Sequence, residues 1–206
     1  MLRLYYGPHS CALAADIALA EAGLAYEAVE VDLRAGDQRR PEFLSVNPKG
    51  RVPALVTDRG ILTENPAILA FVAQSAPDAK LAPLDDAFAF AQAQAFNAYL
   101  AATVHVAFAH GRRGYRWADD ADAIAEMKRK APEVVGDCFE LIEREMFRGP
   151  WVMGEAYSVC DPYLFTFTRW LDGRGINPSR FPKVQDHARR MSDRGAARKV
   201  LPRYPS

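Results

Sequence analysis

The sequence contains few cysteines, no excess of either charge and no long apolar run. Its three cysteines, Cys11, Cys138 and Cys160, are widely spaced and include no C-x-x-C pair, so neither a disulfide framework nor a zinc site is expected. Lysine plus arginine and aspartate plus glutamate both total 26, and this balance argues against a nucleic-acid or anionic-membrane partner. No stretch reaches the roughly 18 apolar residues that a membrane span needs. We therefore expect no metal, no nucleic acid and no membrane partner.

The N-terminus shows no signal-peptide pattern, and with so few cysteines we expect a reducing, cytoplasmic compartment. The 206 residues are 50% hydrophobic and 25% charged, which suits one large globular domain or two small ones. The densest basic segment, HGRRGYR at 110–116, is interpreted as a solvated loop.

The N-terminal part of the chain alternates between strand and helix patterns. Residues 2–6 and 25–33 are typical of strands, and residues 11–23 follow a helical spacing. The polar residues 34–50 lead through the turn NPKG into VPALVTD and GILTE, two short apolar runs that predict a hairpin. NPAILAFVAQSAP then predicts a helix with proline at its start. The predicted order is β-α-β-α-β-β-α.

The strand patterns cease in the second part of the chain. Helices are predicted over 86–109, 119–147, 161–173 and 179–195. A change from mixed to all-helical patterning predicts two domains, at 1–78 and 86–206.

The stretch GPHSCALA places Cys11 at the start of the first helix. Unpaired backbone N–H groups at a helix start favour an anion, so if Ser10 or Cys11 caps the helix, the thiol pKa should lie below about 8.5. A buried, inert cysteine is an equally weighted alternative.

Two further motifs, each taken alone, are explained by ordinary secondary structure. In GRVPAL, Pro53 opens a strand and leaves nearby backbone groups free to pair with an extended ligand, although a plain strand start is favoured. In LTENPAIL, Asn65 is a good helix N-cap and Glu64 suits a ligand's ammonium group, although plain helix capping is favoured.

Together, GPHSCALA, NPKGRVPAL and LTENPAI in this order and spacing resemble the cytosolic glutathione S-transferases, and the cysteine at position 11 is most similar to the bacterial beta class. The resemblance covers nearly the whole chain. It implies an α/β thioredoxin-like N-terminal domain and an all-α C-terminal helical domain. It also implies a homodimer that packs the helices at 64–75 and 86–109, with glutathione as co-substrate and no metal.

The resemblance further implies the site residues. Val52, beside a cis-Pro53, would bind the cysteinyl backbone of glutathione, and Glu64 with Asn65 would bind its γ-glutamyl end. Cys11 would lie close to the glutathione sulfur. The residues implied for glutathione binding are Cys11, Val52, Pro53, Glu64, Asn65, Thr103 and His105, and the catalytic candidates are Cys11, His105 and Ser10. Trp170 would lie near the pocket for the second substrate.

The sequence departs from the family pattern at several positions. Asn65 stands where the family has serine, and Ala98 stands where beta-class relatives often have asparagine. No basic residue is obvious for the glycyl carboxylate, and Arg34 is the candidate. Ser158 and Asp161 fit a capping box that we interpret as structural.

Three functions follow from these features. The first is conjugation of glutathione to a small hydrophobic electrophile. The second is a glutathione-dependent thiol-disulfide reductase that acts through Cys11 as a single thiol. The third is a non-catalytic binding protein for glutathione or another ligand, because a fold does not fix a function.

Overall fold

The structure, a computed structural model, describes residues 1–205. In that range the elements of the N-terminal domain are β1 Leu2–Tyr6, α1 Ala12–Glu21, β2 Tyr26–Glu30, α2 Pro41–Leu44, β3 Ala54–Thr57, β4 Gly60–Thr63 and α3 Asn65–Ser75. The helices of the C-terminal domain are α4 Ala87–Tyr99, α5 His105–Arg113, α6 Ala121–Leu141, α7 Cys160–Thr168, α8 Pro182–Asp193 and α9 Gly195–Val200. The expected thioredoxin-like α/β domain followed by a helical domain is confirmed, while the limits 1–78 and 86–206 remain a prediction.

The sheet has the strand order β2-β1-β3-β4. β1 is parallel to β2 and antiparallel to β3, and its buried Leu4 pairs with Leu55. β3 and β4 form the predicted hairpin, in which Thr57 pairs with Gly60 across a two-residue loop. Because β1 and β3 run in opposite directions, the end of β1 and the start of β3 meet at the same edge of the sheet.

Helix α1 is buried over residues 12–19, including Asp16. It contacts α3 within its own domain and α7 and α9 of the helical domain. Its alanines allow this close approach, since a small side chain keeps neighbouring backbones near each other. Asp16 accepts hydrogen bonds from Arg203 at 2.9 Å and from the Tyr26 hydroxyl, so its carboxylate is satisfied inside the protein. The N-terminus of α1 is therefore held at the junction of the two domains.

The structure divides the helix that was predicted at 86–109. The Asp86 carboxylate accepts hydrogen bonds from the backbone N–H of Phe88 at 2.9 Å and Ala89 at 3.0 Å, and α4 begins there. One π-helical turn, Leu100–Val104, then separates α4 from α5. Such turns insert an extra residue into the helix and are frequent at functional sites. This turn directly precedes His105.

The remaining helices lie close to their predicted positions. The predicted range 119–147 contains α6 and a following π-helical turn, Ile142–Met146. The predicted order includes a helix between the second and third strands, where α2 lies, whereas the short helix α9 was not recognised in the sequence. The helices within residues 1–205 include none that is long and apolar enough to cross a membrane.

The capping box before α7 is confirmed as a structural feature. The Ser158 hydroxyl oxygen accepts from the Cys160 backbone N–H at 3.3 Å, and Asp161 accepts from the Ser158 N–H at 2.7 Å. Asp161 is fully buried and also lies 3.0 Å from Nε2 of His187 in α8. This network joins α7 to α8.

Candidate active site

The N-terminus of α1 brings Cys11 to the edge where β1 and β3 meet. After β1 the chain turns, with the Ser10 N–H bonded to the Gly7 carbonyl at 3.1 Å. The Ser10 hydroxyl oxygen accepts from the Ala12 N–H at 3.2 Å, so Ser10 supplies the capping oxygen. The Cys11 sulfur lies 3.8 Å from the Val52 carbonyl oxygen, and Cys11 is only 8% exposed.

The expected lowering of the Cys11 pKa is wrong. Burial raises the pKa of the Cys11 thiol to about 11. The positive charge of Arg113 and the backbone N–H at the helix start both lower this pKa, but desolvation of the charged thiolate outweighs them. The Cys11 thiol is therefore protonated at neutral pH.

Val52 offers an unpaired backbone beside the thiol. The Val52–Pro53 peptide bond is cis, as the resemblance implies. Val52 precedes β3, and its N–H makes no hydrogen bond within residues 1–205. An extended peptide-like ligand can pair with this N–H in the manner of an added strand.

Glu64 has an unusual backbone for a residue other than glycine. Its φ is 71° and its ψ is 124°, and α3 begins at the next residue. Such conformations cost free energy and cluster at ligand sites. The Glu64 side chain is 66% exposed, and its Oε1 accepts a hydrogen bond from Nζ of Lys49 at 2.6 Å. The carboxylate is therefore open to solvent and to a ligand.

Asn65 connects α3 to α1. It is buried, and its side-chain amide nitrogen donates to the Cys11 carbonyl oxygen at 2.8 Å. The Asn65 Oδ1 atom is buried with no partner within residues 1–205. The first N–H groups of a helix lack partners inside the helix, so those at the start of α3 remain for an anion.

His105 lies on α5, against the edges of Phe167 and Trp170 at ring distances of 5.3 Å and 5.5 Å. Burial, and then the charge of Arg113, lower the pKa of His105 to about 4. The Nη2 atom of Arg113 lies 3.3 Å from His105 Nε2. Because a guanidinium only donates, Nε2 accepts and the proton of the neutral ring is on Nδ1.

Arg113 is a site residue that the sequence analysis missed. The interpretation of residues 110–116 as a solvated loop is wrong, because they form the end of α5 and a short 3₁₀ turn, Gly114–Arg116. Arg113 is half-buried, has no carboxylate partner within residues 1–205, and lowers the pKa of both His105 and Cys11. His105 lies eight residues before Arg113 on the same helix and Cys11 lies on another element, so no short sequence pattern marks this arginine.

The remaining candidate residues from the sequence are not part of this set of contacts. Thr103 is exposed on the π-helical turn, and its hydroxyl makes no hydrogen bond within the described chain. Asn97, next to Ala98, is fully buried in α4. Arg34 is exposed after β2. The described part of the chain contains no cluster of His, Cys, Asp or Glu that could hold a metal ion.

The chain is similar in sequence and in fold to known proteins. The family model "Glutathione S-transferase, N-terminal domain" matches residues 1–74. The glutathione S-transferase GstA of Escherichia coli O157:H7 is 30% identical over 203 residues, which are 97% of each chain.

Solved structures are similar over the whole length. A glutathione transferase homologue from Sulfitobacter, with bound glutathione, is 42% identical with a TM-score of 0.95, covering 98% of this chain and 97% of its own. A bacterial beta-class glutathione S-transferase from Sphingomonas chungbukensis is 34% identical with a TM-score of 0.85 and 97% coverage of both chains. The chain belongs to the cytosolic glutathione S-transferase family, with the beta class among its similar structures.

The raised pKa of Cys11 predicts the pH dependence of its alkylation. Because thiolate is the reactive form, the rate of reaction with iodoacetamide should rise about tenfold per pH unit from about pH 7 to 9 with no plateau. Arg113→Gln should slow alkylation further, since the guanidinium charge lowers this pKa. Mass spectrometry of the Cys11 peptide separates it from Cys138 and Cys160. A plateau near neutral pH would show a lowered pKa and contradict the burial argument.

Proposed function

We propose that this protein conjugates glutathione to a small hydrophobic electrophile. The observation that carries this proposal is the meeting of three ligand-binding features at Cys11. They are the unpaired Val52 backbone N–H, the exposed Glu64 carboxylate on a strained backbone, and the start of α3. The bound glutathione in the Sulfitobacter relative supports the same ligand.

Each part of glutathione has a complementary group in this arrangement. The cysteinyl backbone pairs with Val52, and the γ-glutamyl ammonium binds the Glu64 carboxylate. The γ-glutamyl carboxylate meets the N–H groups at the start of α3, while the Asn65 side chain stays on the Cys11 carbonyl. Arg34 remains our candidate for the glycyl carboxylate. This binding mode directs the glutathione sulfur toward Cys11.

The chemical step needs the thiolate of glutathione. Its sulfur attacks the electrophilic carbon, a C–S bond forms, and the leaving group departs with the bonding electron pair. The unpaired charge of Arg113 stabilises the thiolate, and the Nδ1–H of neutral His105 is available as a hydrogen-bond donor. With its pKa lowered to about 4, His105 acts as a donor rather than as a base. Cys11 and Ser10 complete the wall beside the sulfur.

The raised pKa of Cys11 disfavours the reductase alternative. Attack on a mixed disulfide requires a thiolate, and at neutral pH the buried Cys11 thiol is protonated. A non-catalytic binding protein would bind glutathione but leave electrophiles unreacted. Glutathione-dependent reaction of 1-chloro-2,4-dinitrobenzene above the uncatalysed rate therefore separates the proposal from a binding protein.

Glu64→Gln should weaken glutathione binding while the fold is kept. The substitution retains the shape but removes the charge that attracts the ligand's ammonium group, which is worth about 1.5–3 kcal/mol, or roughly 10- to 150-fold in Kd. Calorimetry with glutathione measures this change. Glu155→Gln is the matched control, since Glu155 is exposed and makes no side-chain hydrogen bond in the described chain. Equal affinities in the wild type and Glu64→Gln would contradict this placement of glutathione.

We further propose a homodimer that packs α3 and α4 across a two-fold axis. Phe88, at the start of α4, is 74% exposed, and Leu84 beside it is 39% exposed. Burial of a phenylalanine contributes about 1.5–3 kcal/mol, so Phe88→Ser should weaken the dimer at least about tenfold in sedimentation velocity. Leu141→Ser, on the exposed face of α6, is the control. A wild-type protein that sediments only as a monomer at micromolar concentration would contradict the dimer.

The cytoplasmic location remains a prediction.

A further inference from the structure

A cavity of about 560 Å³ lies between α5, α6 and the segment after α7. This size is typical of pockets for small molecules. Its apolar walls come from Phe108 and Tyr115 of the α5 region, Ile124 and Val135 of α6, and Ile176. The cavity is therefore suited to an aromatic or aliphatic body.

The charges at this cavity are all of one sign. Arg112, Lys128 and Arg174 line it, and none of them forms an ion pair within residues 1–205. The described lining residues include no aspartate or glutamate. Burial and the charges of Arg112 and Arg113 lower the pKa of Arg174, which shows that these cations lie near one another. Like charges without a counterion attract an anion.

The cavity and the sulfur site lie along one face of α5. Residues three and seven positions apart share a helix face, so His105, Phe108 and Arg112 follow each other over about 10 Å. Phe108 lines the cavity and packs on Trp170 and Phe167, the same rings that contact His105. The guanidinium of Arg174 lies 5.9 Å from the centre of the Phe108 ring. One aromatic cluster therefore connects His105 to Phe108, the ring of this cluster that lines the cavity.

We propose that the electrophilic substrate carries a carboxylate, which Arg112 and Arg174 bind while its apolar body lies against the Phe108 wall. This inference rests on the proposed function and names its substrate class. A planar carboxylate accepts two parallel hydrogen bonds from a guanidinium, which explains the use of arginine at both positions. The length of about 10 Å between His105 and Arg112 matches a substituted aromatic ring plus the reach of an arginine side chain.

The reaction with such a substrate is balanced without any further reactant. For 4-chloro-3-nitrobenzoate, the glutathione thiolate attacks the carbon that bears chlorine, the C–S bond forms, and chloride leaves with the C–Cl electron pair. The thiol proton passes to solvent, and the carboxylate stays ionised throughout.

The test compares 4-chloro-3-nitrobenzoate with 4-chloro-3-nitrobenzamide, which keeps the reacting ring but has no charge. With saturating glutathione, kcat/KM for each is divided by the uncatalysed rate constant. We expect an acid-to-amide ratio of about ten or more in the wild type. The ratio should fall toward one in the double variant Arg112→Ala, Arg174→Ala. Arg59→Ala removes an exposed, unpaired arginine from the β3–β4 hairpin and should leave the ratio unchanged.

The outcomes separate this inference from the proposed function. An acid-to-amide ratio near one in the wild type, or a high ratio that persists in the double variant, overturns the inference. Reaction of 1-chloro-2,4-dinitrobenzene in the same preparation then still supports conjugation. If no electrophile reacts, the conjugation proposal fails, and calorimetry of the acid and amide with the glutathione-loaded protein decides the inference. Tighter binding of the acid that is lost in the double variant supports the carboxylate site, and equal binding overturns it.

Discussion

A single buried hydrogen bond, from the Asn65 side-chain amide to the Cys11 carbonyl oxygen, joins the starts of α1 and α3. Because both helices begin at the same sheet edge, this contact sets the two helix starts side by side. The Cys11 sulfur contacts the Val52 carbonyl oxygen, so the cis Val52–Pro53 segment lies beside the start of α1. The helical domain covers α1, and Cys11 is buried in a core to which α7 of that domain contributes. The packing that forms the site therefore also keeps the Cys11 thiol protonated.

The buried Cys11 thiol and the unpaired charge of Arg113 have different roles in the site. The cost of desolvation exceeds what a helix start and one arginine supply to Cys11, so the positive charge of Arg113 remains available to a ligand. The same charge, together with burial, keeps His105 neutral and fixes its proton on Nδ1. A thiolate brought in by glutathione would therefore find a cation and a hydrogen-bond donor already in place. Preorganised groups of this kind are the usual source of electrostatic stabilisation in enzymes.

Features that depend on local residue patterns could be predicted from the sequence. The hairpin, the capping box at Ser158 and the helical second half all follow from spacing, turn residues and hydrophobic periodicity, and Ser10 was one of two candidates for the cap of α1. The π-helical turn before His105 was not predictable, because one inserted residue leaves the apolar pattern nearly intact. The expected lowering of the Cys11 pKa was wrong for a similar reason, because Cys11 is buried in a core that includes residues of α7, far away in sequence. Arg113 was missed because no short pattern links it to His105, eight residues earlier on α5, or to Cys11 on another element.

The central claim is that Arg113, and not Cys11, stabilises the thiolate of bound glutathione. Ultraviolet difference titration of bound glutathione tests it directly in the wild type, Cys11→Ala and Arg113→Gln. The account predicts that the pKa of the bound thiol lies below about 8.5 in the wild type and in Cys11→Ala, and rises by about one unit or more in Arg113→Gln. A lowered pKa that survives in Arg113→Gln, or one that is lost in Cys11→Ala, would contradict it.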